Sequence, residues 1–241
     1  MRYAVLSDIH GNLEALRAVL ADAADHADDV LCLGDVVGYG ADPGACVELV
    51  GARAQAVVAG NHEHAVIGAL DMTWFNRYAR AAAEWTRERL DADCAAYLRA
   101  LPLTAGVEDA TLVHASPRQP DEWAYLVSED DGLAAFEAFA TRLCFVGHSH
   151  VPAAWSLGSS GPEYTRGDVE ITLDAGRRYI VNVGSVGQPR DHDPRAAYAV
   201  WDLDARRVSL RRVAYDIAAA RAKIAAARLP QFLSDRLAAG A

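Results

Sequence analysis

Few cysteines, no long apolar run and no excess of basic charge set the first limits on this 241-residue chain. The four cysteines, Cys32, Cys46, Cys94 and Cys144, lie far apart without Cys-x-x-Cys spacing, so neither a disulfide framework nor a paired-thiol motif is in view. Cys32 and Cys144 fall inside apolar, strand-like runs, where a free thiol behaves as a small buried hydrophobe. That usage suits a reducing compartment, and the cytoplasm is the expected location. No apolar run reaches the length of a membrane span, and Asp8 interrupts the first one too early for a signal peptide, so no membrane association is expected. A formal net charge of −10 argues against a sequence-independent grip on nucleic acid, which needs a basic surface. It does not exclude a phosphate-bearing substrate, because bound metal ions would be the largest local positive charges. Repeats, linkers and low-complexity tracts are also missing. The expected organisation is one domain over 1–241, with 1–150 carrying the chemistry, 151–215 forming a mostly antiparallel sheet and 216–241 closing with helices. Nothing in the pattern speaks to oligomeric state.

What is present is a set of short islands rich in metal-ligand residues: Asp8-Ile-His10, Gly34-Asp35, Gly60-Asn61-His62-Glu63, His114 and Gly147-His148-Ser149-His150. Each follows an apolar run that reads as a strand: Tyr3–Ser7, Val30–Leu33, Ala56–Ala59, Thr111–Val113 and Leu143–Val146. Polar islands at strand ends sit at the rim of a sheet, where α/β folds place their ligands. Between them the periodicity predicts helices over Asn12–Ala24, from Pro43 through Val50, over Trp74–Leu101 and over Asp131–Thr141. On the third of these, Tyr78, Ala82, Trp85, Tyr97, Leu98 and Leu101 are the expected core face. Beyond Pro152 the texture turns to strands, with Asp216 as the N-cap of a helix through Arg228. The class is α/β, with two sheets, one mixed and one mostly antiparallel, covered by helices.

The islands hold carboxylates, imidazoles and one carboxamide without a thiolate, a donor set for hard-to-borderline divalent ions. Mn²⁺ is the first expectation, and Fe, Zn²⁺ or Ni²⁺ would tolerate the same donors. Two such ions ~3.5–4 Å apart can clamp both oxygens of an in-line displacement at phosphorus, and a water they hold is acidified into a nucleophile. Cations that close need a bridging anion, for which Asp35 is the natural residue. Asp8 with His10, and His148 with His150, are each separated by one residue, so an extended pleat would turn each pair to one side. Asn61 adds a neutral oxygen that limits the anionic charge facing an anionic substrate. His26 reads as a solvated helix-end residue, and His64 and His192, outside the pattern, read as structural. Trp74, Phe75, Asn76 and Tyr78 crowd a segment that either anchors a helix to the core or walls a cleft.

With those residues in view, the chain resembles the calcineurin-like metallophosphoesterase superfamily from Asp8 to His150 and, more loosely, through Asn182–Asp191. Within it the chain is similar to bacterial and archaeal phosphoesterases that carry an Asp-Ile-His-Gly-Asn-Leu-Glu-Ala-Leu opening and a Gly-Asp-x-x-Gly-Tyr-Gly loop, here Asp8–Leu16 and Gly34–Gly40. The resemblance implies a four-layer αββα sandwich with two mixed sheets. It implies one metal on Asp8, His10, Asp35 and His150, and the other on Asp35, Asn61, His114 and His148. It makes His62 an outer-sphere histidine that touches the substrate phosphate and gives a proton to the leaving group. The protein serine/threonine phosphatases carry Gly-Asp-x-Val-Asp-Arg-Gly, whose second Asp orients that histidine and whose Arg grips phosphate; here those positions are Gly38 and Tyr39. Their Arg before Gly-Asn-His-Glu is Ala59. The missing arginines count against a phosphoprotein phosphatase and against a dinucleoside polyphosphate hydrolase. Arg118 or Arg190 could substitute, and Arg190, in Gly184-Ser-Val-Gly-Gln-Pro-Arg190-Asp191, is the preferred phosphate contact. A non-catalytic scaffold, as in the retromer subunit of this fold, is expected to have a degraded ligand set, and this one is complete. The expected function is therefore hydrolysis of a small phosphate mono- or diester, nucleotides included, by a metal-activated water.

Overall fold

The computed structural model describes residues 1–241. Its strands are β1 Arg2–Leu6, β2 Asp29–Cys32, β3 Ala54–Val57, β4 Thr104–Val107, β5 Ala110–Val113, β6 Leu143–Val146, β7 Ala153–Gly158, β8 Gly161–Arg166, β9 Glu170–Thr172, β10 Arg178–Asn182, β11 Ala196–Asp202 and β12 Arg207–Val213. The helices are α1 Leu13–Ala23, α2 Pro43–Arg53, α3 Asn61–Ile67, α4 Arg77–Arg87, α5 Ala92–Ala100, α6 Glu129–Ala135, α7 Ile217–Ala226 and α8 Gln231–Ala239. One six-stranded sheet runs β3-β2-β1-β11-β12-β9 and the other β4-β5-β6-β10-β7-β8.

Alternation along the strands builds four layers, because successive side chains leave a strand on opposite faces. Tyr3 and Val5 of β1 face the second sheet, where they share an apolar core with Leu143 and Phe145 of β6 and Val181 of β10. Ala4 and Leu6, on the other face of β1, pack against Leu16, Val19 and Leu20 of α1 and Val47 and Val50 of α2. Cys144 and Val146 likewise turn away from the sheet interface to meet Ala135 of α6 and the neighbouring Phe136. The order is thus helix, sheet, sheet, helix, the αββα sandwich with two mixed sheets. A further cluster joins Tyr39 and Ala82 to Ile224 of α7 and to Leu233 and Leu237 of α8, so the closing helices pack beside the loop that follows β2.

Three expectations need correction. The strands of 151–215 build no sheet of their own: β9, β11 and β12 extend the first sheet, while β7, β8 and β10 extend the second. The antiparallel additions begin at edges left by the parallel units, β11 beside β1 and β7 beside β10, and β12, β9 and β8 add outward from them. The predicted helix Trp74–Leu101 is two helices. The Asn76 side chain accepts from the amides of Tyr78 and Ala79 to start α4, and Asp91 accepts from Cys94 at 2.7 Å to start α5. A second N-cap inside a helical pattern is a start signal that overrides continuous periodicity. Ala79, Ala82, Ala83 and Thr86 are the buried face of α4, with Tyr78 and Trp85 half-buried at its edge. The third correction moves the start of the helix predicted from Asp131 to Glu129, because Ser128 and Asp131 form a capping box, and it ends in a short 3₁₀ turn at Phe136–Ala138. No helix is long and apolar enough to cross a membrane.

Candidate metal centre

Parallel pairing brings the islands together. β1, β2 and β3 run parallel in one sheet, and β5, β6 and β10 run parallel in the other, so each set delivers its C-terminal ends to one rim. There the chain leaves β1 into Asp8–His10, β2 into Asp35, β3 into Asn61 and His62, β5 into His114, and β6 into His148–His150. The eight Asp, Asn and His side chains among them are buried.

The turns that aim them are not extended. Asp8, His10, Asp35, His148 and His150 have φ of 55°, 51°, 51°, 64° and 60°. No extended pleat therefore aims the Asp-x-His and His-x-His pairs, since the strands stop before these residues. Left-handed conformations cost non-glycine residues about 1–3 kcal/mol each and persist where surrounding structure over-determines them. Here the backbone ladder does so: the Asp8 amide donates to Gly34 O at 3.0 Å, and the His10 amide to Asp35 O at 2.8 Å. The islands also approach closely, and a Cβ on Gly60 would lie 2.1 Å from Asp35 Oδ1.

Two clusters result. In the first, His150 Nε2 lies 3.2 Å from Asp8 Oδ1 and 3.1 Å from His10 Nε2, which is itself 3.6 Å from Asp35 Oδ2. In the second, His114 Nε2 lies 3.3 Å from the same Asp35 Oδ2 and 3.1 Å from His148 Nδ1. These gaps match N and O donors arranged about an ion at ~2.0–2.2 Å. Asp35 Oδ2 belongs to both clusters, while Oδ1 accepts the His62 amide at 2.9 Å. Asp8 Oδ1 and Asn61 Oδ1 are buried without any hydrogen-bond partner. Buried acceptors are rarely left unpaired, so these two oxygens fit cation ligands. Ring orientation is set from behind. His10 Nδ1 meets Val37 O at 3.1 Å, His114 Nδ1 meets Leu33 O at 2.8 Å and His150 Nδ1 meets Gln188 O at 2.6 Å. A carbonyl can only accept, so each Nδ1 carries the proton and each Nε2 lone pair faces the cluster.

The electrostatics agree. Burial alone would push the Asp8 carboxyl up, but the His150, His10 and His114 imidazoles override it and hold it well below the usual carboxylate range. Asp35 is lowered in the same way, burial being outweighed chiefly by His114. Burial opposes protonation of His114 too, yet Asp35 raises it to about 9, so its Nε2 would carry a proton that a cation has to displace before that lone pair is free to bind. His148 falls to about 4 and His150 to about 3, both mainly through burial.

The remaining predicted residues separate. His62 sits among His10, Tyr39 and Phe75, with ring centroids at 4.8, 4.6 and 4.8 Å, and its Nδ1 is unpartnered. Arg190 lines the same cleft, of about 100 Å³, as Asp35, Asn61, His62, His148 and His150. Arg118 is exposed and away from it. Trp74, Phe75 and Asn76 wall the cleft, whereas Tyr78 turns away and stacks on Phe232 at 4.3 Å. His26, in the turn after α1, bonds the carbonyl of Asp22 in that helix's last turn, and His64 packs edge-on against Trp123.

Sequence reasoning missed three residues. Tyr125 stacks on His148 at 4.0 Å, and nothing in its polar loop marks it. Gln188 orients both His150 and Arg190, its carbonyl taking the imidazole proton and its Oε1 taking Arg190 Nη2 at 2.9 Å. Glu63 accepts four backbone amides: Asp35 and Gly60 at 2.7 Å, Val36 at 2.8 Å and Val37 at 3.2 Å. Burial and the Asp35 charge raise Glu63 to about 7, but four donors at its two oxygens leave no acceptor for a carboxyl proton, and we take it as ionised. The Gly60-x-x-Glu63 helix start was its signal.

Residues 1–206 match the model of the calcineurin-like phosphoesterase superfamily domain. A metallophosphoesterase from Sphaerobacter thermophilus shares 45% identity over 100% of this chain and 99% of its own, with a TM-score of 0.88. A hypothetical protein from Pyrococcus horikoshii has the same fold at 20% identity, with a TM-score of 0.77 over 100% and 98% of the two chains. An uncharacterized protein of Methanocaldococcus jannaschii is 39% identical over 97% of this chain and 96% of its own length. The Asp and His clusters at the shared sheet rim are what a metal-dependent phosphoesterase requires, and the chain belongs to the calcineurin-like phosphoesterase superfamily.

Proposed function

We propose that this chain hydrolyses a small phosphate mono- or diester, nucleotides among them, with two divalent ions, Mn²⁺ foremost. The observation that carries the reading is Asp35 Oδ2, an anionic oxygen 3.6 Å from His10 Nε2 in one donor cluster and 3.3 Å from His114 Nε2 in the other. Asp8, His10 and His150 complete one set of donors, and Asn61, His114 and His148 complete the other. When bound, the two ions supply positive charge at phosphorus and acidify a water. The chain itself does the rest. Arg190 offers the cleft a guanidinium with no carboxylate partner, a counter-charge for phosphoryl oxygens. Burial holds His62 well below the usual imidazole range, so it enters the reaction neutral and presents an N–H to the leaving oxygen. The 45% identity to a metallophosphoesterase over the whole chain supports the same reaction class.

Metal removal tests this directly. Exhaustively chelated protein should be inert toward p-nitrophenyl phosphate, and Mn²⁺ should restore turnover at two ions per chain by elemental analysis. Full activity in metal-free protein overturns the reading.

A further inference from the structure

Tyr39 is the residue at the centre whose placement the ligand sets do not explain. It is buried, yet it holds φ at 56°, an uncommon conformation for a bulky aromatic. Its neighbours make that possible. Gly38 has φ of 87° and leaves the space in which His62 sits, since a Cβ there would lie 2.2 Å from His62 Nδ1. The result is a ring wedged edge-on against His10 at 4.5 Å and tilted on His62 at 4.6 Å, lining the cleft.

The hydroxyl lies 3.5 Å from Arg190 Nη2, at the long end of hydrogen-bonding reach. The guanidinium can only donate, so the phenol accepts and its own proton is left for a third group. Arg190 is short of partners as well. Its Nε is buried with none, and the acids that follow it are taken: Asp191 pairs with Arg212, and Asp193 pairs with Arg195 at 2.6 Å. A half-buried guanidinium without a counter-ion, beside a phenol with a free proton, is matched by an oxyanion.

Resting on the phosphoesterase reading, we propose that Tyr39 and Arg190 act as one clamp on a terminal phosphoryl oxygen, and that this clamp favours phosphate monoesters over diesters. A monoester dianion carries two negative charges and three terminal oxygens, whereas a diester carries one charge and two. If both terminal oxygens of a diester face the metal-donor clusters, the oxygen left to the clamp is an ester oxygen, a weak acceptor. Tyr39 thus supplies from its own position a phosphoryl donor that other branches of this fold provide with an arginine.

The test uses two substrates with one leaving group, p-nitrophenyl phosphate and methyl p-nitrophenyl phosphate, on metal-loaded wild type and Tyr39→Phe. The variant keeps the ring and therefore the packing on His10 and His62. Its kcat/KM for the monoester should fall roughly 10- to 100-fold, the worth of one hydrogen bond to an anion, and for the diester less than about threefold. Its dissociation constant for inorganic phosphate should rise by the same factor as the monoester loss, at unchanged metal content. Adding Tyr39→Phe to Arg190→Gln should cost little beyond Arg190→Gln alone, because the two act as a unit. Equal losses on both esters, or unaltered phosphate affinity, overturn the clamp while leaving the phosphoesterase reading in place. If wild type cleaves neither ester, that reading fails instead, and the phosphate affinity of Tyr39→Phe still decides whether the clamp exists.

Discussion

At the scale of single residues, the centre depends as much on what lies behind the donors as on the donors. Glu63 gathers the amides of Asp35, Val36, Val37 and Gly60, and so fixes the two loops that carry Asp35 and Asn61. Glu63→Gln is nearly isosteric, but its NH₂ would face two of those amides, donor against donor. Leaving buried amides unpaired costs ~1–3 kcal/mol each, so we expect a loss of about 2–4 kcal/mol in urea unfolding. Elemental analysis should show reduced metal per chain in the folded variant, because the Asp35 loop loses its anchor. Wild-type stability and metal content would remove Glu63 from this role.

Among the elements, the segment between α3 and α4 has the most to say about selectivity. Trp74 is 86% exposed at the edge of the cleft, where a core anchor would be buried. Tyr78, four residues on, is bound to α8 through Phe232. The two aromatics therefore have different work. Trp74→Ala should raise KM for a bulky nucleotide ester roughly 5- to 50-fold, in line with stacking worth ~1–3 kcal/mol per base, and should barely move KM for a minimal alkyl phosphate. Tyr78→Ala should leave that ratio alone and lower the Tm by loosening α8. A Trp74 variant with an unchanged KM ratio would make the segment structural.

For the whole molecule, the helix layer is tied to the first sheet by a polar knot as well as by apolar packing. Asp22 near the end of α1 accepts from Tyr198 of β11 at 2.6 Å and from Arg211 of β12 at 2.8 and 2.9 Å. Arg211 first, and Tyr198 against the opposing effect of burial, hold the Asp22 carboxyl below its ordinary value. A depressed folded pKa gives stability that is complete above the unfolded value of ~3.9 and is lost as pH falls through the folded one. Asp22→Asn should thus be less stable than wild type by about 1–2 kcal/mol at pH 7, and the gap should close below about pH 4. A gap independent of pH in urea melts would mean that the carboxylate charge is not what holds the helix.

Much of this architecture is legible in the order of residues. Period-2 and period-3.6 patterns locate β1, α1 and β6, because Tyr3 and Val5 must enter one core while Ala4 and Leu6 enter another. The islands at strand ends can be read as one donor set because their residue types, scattered in sequence, make chemical sense only together. What the chain alone could not show was long-range. The strands beyond Pro152 look alike in their own sequence, and only pairing with edges left by β1 and β10 assigns them to different sheets. The side-chain aim of Asp8, His10, His148 and His150 comes from left-handed turns locked by neighbouring loops, which local periodicity does not encode. Tyr125, Gln188 and Tyr39 acquire meaning only against partners far along the chain, at His148, His150 and Arg190. Donor chemistry is carried by residue identity, so the sequence by itself determined it. Which donors come together, and what faces them across the cleft, is a matter of distance, and only the tertiary structure decided that.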